Sequence, residues 1–211
     1  MGKSVYSLVL SDEVVREVDL EAYRHGLSRS AMINQILAEA VSYVTPEKRM
    51  REIFSQVESL LTDGGIFQTL LQPSDSMMSL RSALAYKYNP NVRYSLELSP
   101  GTANEGELRV SMRSQSSSLI LYLGQFFRLW DQIEKSCLRP APQAVIEDGR
   151  YARRIRLPEG SHGEQGAVLA AYIRAMDGAM KQFFRHLDDP RTAARLVRES
   201  CEGYLCSYPA I

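Results

Sequence analysis

Residues 93–99, RYSLELS, and 107–113, ELRVSMR, alternate polar and apolar side chains with a period of two, the spacing of a half-buried strand. The stretch between them, from Pro100 to Gly106, is rich in turn formers, so the pair reads as a hairpin with a long loop. Downstream, Ser116-Ser117-Ser118 opens a helix carrying Leu119, Tyr122, Phe126, Trp130 and Ile133 on one face. A second hairpin follows, pairing residues 144–146 with 151–157 across Glu147-Asp148-Gly149-Arg150, where the Asp-Gly step favours a tight turn. A long helix over 164–187 comes next, and Asp189-Pro190 starts the last one. Two strands, a helix, two strands and two helices predict a four-stranded antiparallel sheet with helices on one face, an α+β domain over residues 89–211.

Upstream of Asn89-Pro90-Asn91 the pattern is helical. Thr45-Pro46 begins a helix carrying Met50, Ile53, Phe54, Val57, Leu60 and Leu61, ended by Asp63-Gly64-Gly65. The stretch from Ile66 to Tyr88 is read as a turn plus a helix around 76–86, so residues 46–88 form a helical linker region. Residues 1–45 are a third piece. There KSVYSLVL, residues 3–10, is β-branched and aromatic, and Ser11-Asp12-Glu13 starts a helix that Gly26 ends. Ser28 caps another helix, whose broad apolar face holds Met32, Ile33, Ile36 and Leu37. A unit of some 45 residues cannot bury such a face alone and calls for a partner subunit.

Composition narrows the function classes. Lys plus Arg and Asp plus Glu both number 25, so the whole-chain charge points to no polyanion or membrane. No apolar run approaches the ~20 residues of a membrane span, and the N-terminus turns acidic too early for a secretory signal, so a cytoplasmic protein is expected. Its three cysteines, Cys137, Cys201 and Cys206, are read as free thiols, Cys137 and Cys201 as small core residues. Cys201 and Cys206 lie off the i, i+4 spacing that would put both on one metal, so no metal site and no cofactor are expected. Phosphate-loop, zinc-protease and nucleophile-elbow motifs are all missing, and His25, His162 and His186 are scattered, which argues against an enzyme. The densest positive cluster is Arg150, Arg153, Arg154 and Arg156, a solvated strand edge or else a contact for a phosphate-bearing ligand or DNA.

The span from Lys3 to Val44 resembles the ribbon-helix-helix DNA-binding family. YSLVLS runs straight into the acidic helix start Ser11-Asp12-Glu13, the helix ends at Gly26, and GLSRSAMINQIL is similar to the family's Gly-Leu-Ser-Arg/Lys-Ser-x-x-Ile opening. The resemblance implies a β-α-α fold in which two chains pair their strands into an antiparallel ribbon that enters the major groove. Strand parity then puts Tyr6, Leu8 and Leu10 over the helices, completing a dimer core with Val18, Ile33, Ile36 and Leu37. Lys3, Val5, Ser7 and Val9 face the bases; the two valines stand where the family places longer polar residues, so readout leans on shape and thymine methyls. Ser28, Arg29 and Ser30, at the start of the second helix, are implied to clamp a phosphate.

The expected function is therefore a homodimeric, sequence-specific transcriptional regulator of double-stranded DNA. Its C-terminal domain is left to sense a small molecule, bind a protein or build a tetramer. The alternative is an antitoxin-like or scaffolding protein that dimerises through the ribbon and grips a protein partner through the C-terminal domain.

Overall fold

A computed structural model describes residues 5–70, 74–100 and 104–208. Three helices come first: α1 (Asp12–Arg24), α2 (Arg29–Ala40) and α3 (Pro46–Thr62). Strands β1 (Phe67–Thr69), β2 (Met77–Ala83), β3 (Asn91–Leu98) and β4 (Glu105–Met112) follow, then α4 (Ser117–Cys137), β5 (Ala144–Glu147), β6 (Arg150–Arg156), α5 (His162–Arg185) and α6 (Pro190–Ser207). Two compact units divide the chain, the first ending at Arg49 and the second beginning at Met50.

In the first unit, Ser11 and Ser28 sit in extended backbone and accept the N–H of Val14 and of Ala31, capping α1 and α2. Gly26, at φ +64°, lets Leu27 N–H reach back to Ala22 and Gly26 N–H to Tyr23, which closes α1 and turns the chain sharply into α2. The expected N-terminal ribbon strand is corrected. Residues 5–10 have no regular structure, and no strand precedes α1 among the described residues. The physical reason is that strand hydrogen bonds need a neighbour, and within one chain this segment has none, so its backbone groups stay with water.

In the second unit all strand pairings are antiparallel and form one six-stranded sheet in the order β1-β2-β3-β4-β6-β5. This corrects the expected sheet of two hairpins and the helical linker. Residues 77–83, MMSLRSA, are mostly good helix formers, yet their ladder with β3, from Met77↔Glu97 to Ala83↔Asn91, makes them a strand. β6 pairs with both β4 and β5, so it lies inside the sheet and not at its edge. Asp148 and Gly149, at φ +46° and +71°, form the tight turn between β5 and β6.

Inward side chains such as Leu80, Tyr94, Leu96, Leu108, Val110, Tyr151 and Ile155 are buried with the apolar faces of α3 to α6; alternate residues point the other way. Gly166 lets α5 approach α3 closely, since a Cβ there would lie 2.7 Å from Gln56 Cβ of α3. Cys201 belongs to this core, whereas Cys137, at the end of α4, is exposed. Among the described residues no helix is long and apolar enough to cross a membrane.

The core also holds ionisable and polar groups. Glu134 and Arg153 are both fully buried, with Arg153 Nε 3.3 Å from Glu134 Oε2. Tyr151 donates to the same oxygen at 3.0 Å, and Trp130 Nε1 donates to Tyr172 Oη at 2.9 Å. Burial pushes the Glu134 carboxyl up from its ordinary value, an effect that Arg153 and Tyr151 partly offset.

Candidate DNA-facing and dimer-forming surface

The start of α2 is built by Ser28, Arg29 and Ser30. The Ser28 hydroxyl is engaged as the helix cap, while Ser30 is exposed. Arg29 forks onto Asp19 of α1, with Nε 2.6 Å from Oδ1 and Nη2 2.6 Å from Oδ2. The hydrogen bonds from Arg29 hold the Asp19 carboxyl below its ordinary value, and those to Asp19 raise the guanidinium. The phosphate clamp implied by the resemblance is thus occupied, in the free chain, by a carboxylate that offers the same two oxygens a phosphate would.

Around it the unit is thinly packed. Val18, Ala22 and Met32 are its buried cluster, with Leu27 and Ile33 packed on them. Of the seven residues assigned to a dimer core, Val18 and Ile33 come together; Tyr6, Leu8, Leu10, Ile36 and Leu37 are exposed, Tyr6 by 83% and Leu8 by 59%. Val5, Ser7 and Val9 are exposed as well, so the segment shows no inner and outer face; Lys3 lies outside the described residues. A shallow hollow of about 430 Å³, lined by Glu13, Val14, Glu17, Val18 and Glu21 of α1 and by Ile36 of α2, offers an apolar floor with an acidic rim. Its chemistry suits inserted apolar side chains; the acidic rim repels phosphate.

Sequence reasoning missed Asp19 as the partner of Arg29. The two stand ten residues apart across the Gly26 turn, and no helical spacing relates them. Arg153, expected on a solvated strand edge or at a contact for a phosphate-bearing ligand or DNA, is instead turned onto Glu134 by the placement of β6 inside the sheet. Among the described residues no group of His, Cys, Asp and Glu side chains comes together as a metal site. No family model, no curated protein and no solved structure matches the chain.

Proposed function

We propose that the chain is a homodimeric, sequence-specific DNA-binding regulator whose first unit joins two copies and meets the duplex. One observation carries the reading: Tyr6, Leu8, Leu10, Ile36 and Leu37 stay exposed, while the buried cluster of the unit is only Val18, Ala22 and Met32. So small a core leaves a unit of this size marginal alone, and a second copy presents the same apolar groups in return. The resemblance of residues 3–44 to a DNA-binding family names the partner beyond the dimer. In this reading the α2 start meets phosphates and fixes register, while the segment around Ser7 meets base edges. The second unit is the regulatory or assembly module.

The pairing of Arg29 with Asp19 favours one other reading, in which the first unit only dimerises and the second grips a protein. A single experiment separates the two. Purified protein is incubated with fragments of its source genome at moderate salt, and the retained DNA is sequenced. Enrichment of a short inverted repeat supports the regulator; a dimer by sedimentation that enriches nothing supports the scaffold.

A further inference from the structure

The sheet of the second unit carries its outward cations in an order that packing does not require. Every basic residue in the six strands is an arginine, at 81, 93, 109, 150, 153, 154 and 156, and none is a lysine. Arg81 of β2 and Arg93 of β3 are direct cross-strand partners, both exposed on the face turned away from the helices. Like charges placed so destabilise a ladder. Yet the residues around them on that face, Gln68, Ser79, Ala83, Asn91, Ser95 and Ser111, include no carboxylate.

Neutral acceptors hold the pair. Arg81 Nε donates to Gln68 Oε1 at 2.9 Å, Arg93 Nη2 donates to Ser79 Oγ at 3.1 Å, and Ser79 and Ser95 share a hydrogen bond of 3.0 Å. Both guanidinium groups are therefore oriented without being neutralised. Arg109 shows the contrast, since it ion-pairs with Glu97 at 3.2 Å and with Glu107. Beyond Ser111, which faces Arg93, the row points toward Arg150 at the start of β6, where β4–β6 pairing ends at Val110↔Tyr151; the cross-strand partner of Arg150 is Glu147 of β5, which forms no ion pair with it among the described residues. Across four strands it spans about 14 Å.

The chemistry selects the occupant. Planar arginine forks and serine hydroxyls match phosphate oxygens. No aromatic side chain stands in the row, so it lacks the platform on which single-stranded bases are chiefly stacked. The row is also no cavity: the large cleft of this unit, about 1100 Å³, lies at the other end of the strands around Leu98, Gly106, Arg156 and Pro158. A shallow line with the unneutralised pair Arg81 and Arg93 at its head fits a long, stiff polyanion better than a small molecule.

We propose that the row Arg81, Arg93, Ser111 and Arg150 binds the phosphodiester backbone of duplex DNA, as a contact additional to that of the first unit; this rests on the reading of the chain as a DNA-binding protein. The test uses the full chain and a labelled mixed-sequence duplex of about three helical turns, titrated between about 50 and 200 mM salt. The double variant R81Q/R93Q is expected to lose about ten-fold in affinity at the lowest salt and to reduce the slope of log K against log salt by about 2. R150Q alone is expected to reduce it by about 1. R191Q/R198Q, an equal charge change on exposed positions of α6, is expected to leave binding within about two-fold. Because R81Q/R93Q removes a like-charge pair, its thermal melt is expected to match or exceed the parent's. Unchanged affinity and slope in both R81Q/R93Q and R150Q overturn this inference while the DNA-binding reading stands. A parent chain that binds no duplex at the lowest salt overturns both. Displacement of the duplex by an equal charge concentration of polyglutamate overturns the assignment to DNA.

Discussion

Arg29 reaches from the first turn of α2 to Asp19 in the middle of α1 and grips both carboxylate oxygens at 2.6 Å. The bond fixes how α2 leaves the Gly26 turn, and it also occupies the one side chain at the α2 start that could fork onto a phosphate. Under the proposed function, DNA binding by this surface is an exchange of one oxyanion for another.

Removing the competitor tests the exchange. Asp19→Asn is expected to tighten binding to all duplex sequences alike and to raise the salt slope by about 1, whereas Arg29→Ala weakens binding to all sequences alike. Fluorescence anisotropy over a salt series reads both, and identical curves for the two variants would dismiss Arg29 as a phosphate contact.

The same pair carries a pH dependence with a definite sign. The folded carboxyl of Asp19 titrates below its ordinary value of 3.8, so the contribution of the pair is fully present above that value and is lost as pH falls through the lowered one. Protection factors of the α1 amides, which correct for the intrinsic slowing of exchange in acid, are expected to fall in that window by more in the parent than in Asp19→Asn, where Glu21, also held below its ordinary value, still titrates.

Dimerisation through the first unit is tested at Leu8, which is 59% exposed in the single chain. Leu8→Lys places a charge where a second copy would cover it, so the variant is expected to sediment as a monomer and to retain no genomic fragments. The second unit should melt unchanged.

In the core of the second unit the polar groups depend on one another. Tyr172→Phe strips the acceptor from the buried Trp130 N–H, a loss expected to cost about 1–3 kcal/mol in urea unfolding. Glu134→Leu leaves the buried Arg153 without its carboxylate and is expected to cost about 3–5 kcal/mol, most of which the double change E134L/R153M restores. A single variant no less stable than the double would show that the ion pair is not what holds Arg153 in the core.

Legibility followed the range of the forces involved. Ser11, Ser28, Ser116 and Asp189 announce helix starts because a cap is a contact between residues three apart, and Asp148-Gly149 announces its turn because both residues tolerate positive φ. β2 is different: Met77 to Ala83 has helical composition and becomes a strand only through the ladder that β3 offers. Arg153 reads as a surface cation until β6 is placed between β4 and β5, facing α4. At the candidate site, Val18 and Ile33 were readable as core from their spacing on α1 and α2, while the fork from Arg29 to Asp19 was not, since the sharp turn that creates it relates residues with no common period. The segment before Ser11 exposes the same limit from the other side, because its side-chain parity has meaning only beside a second strand.

Both margins of the sheet are stubs, three residues in β1 and four in β5. Long bare margins are templates on which further chains can polymerise. If the chain pairs and gathers along a polyanion as proposed, its local concentration rises and with it the hazard of fibre growth. Stub margins deprive such growth of its seed, so crowding can end in a finite assembly.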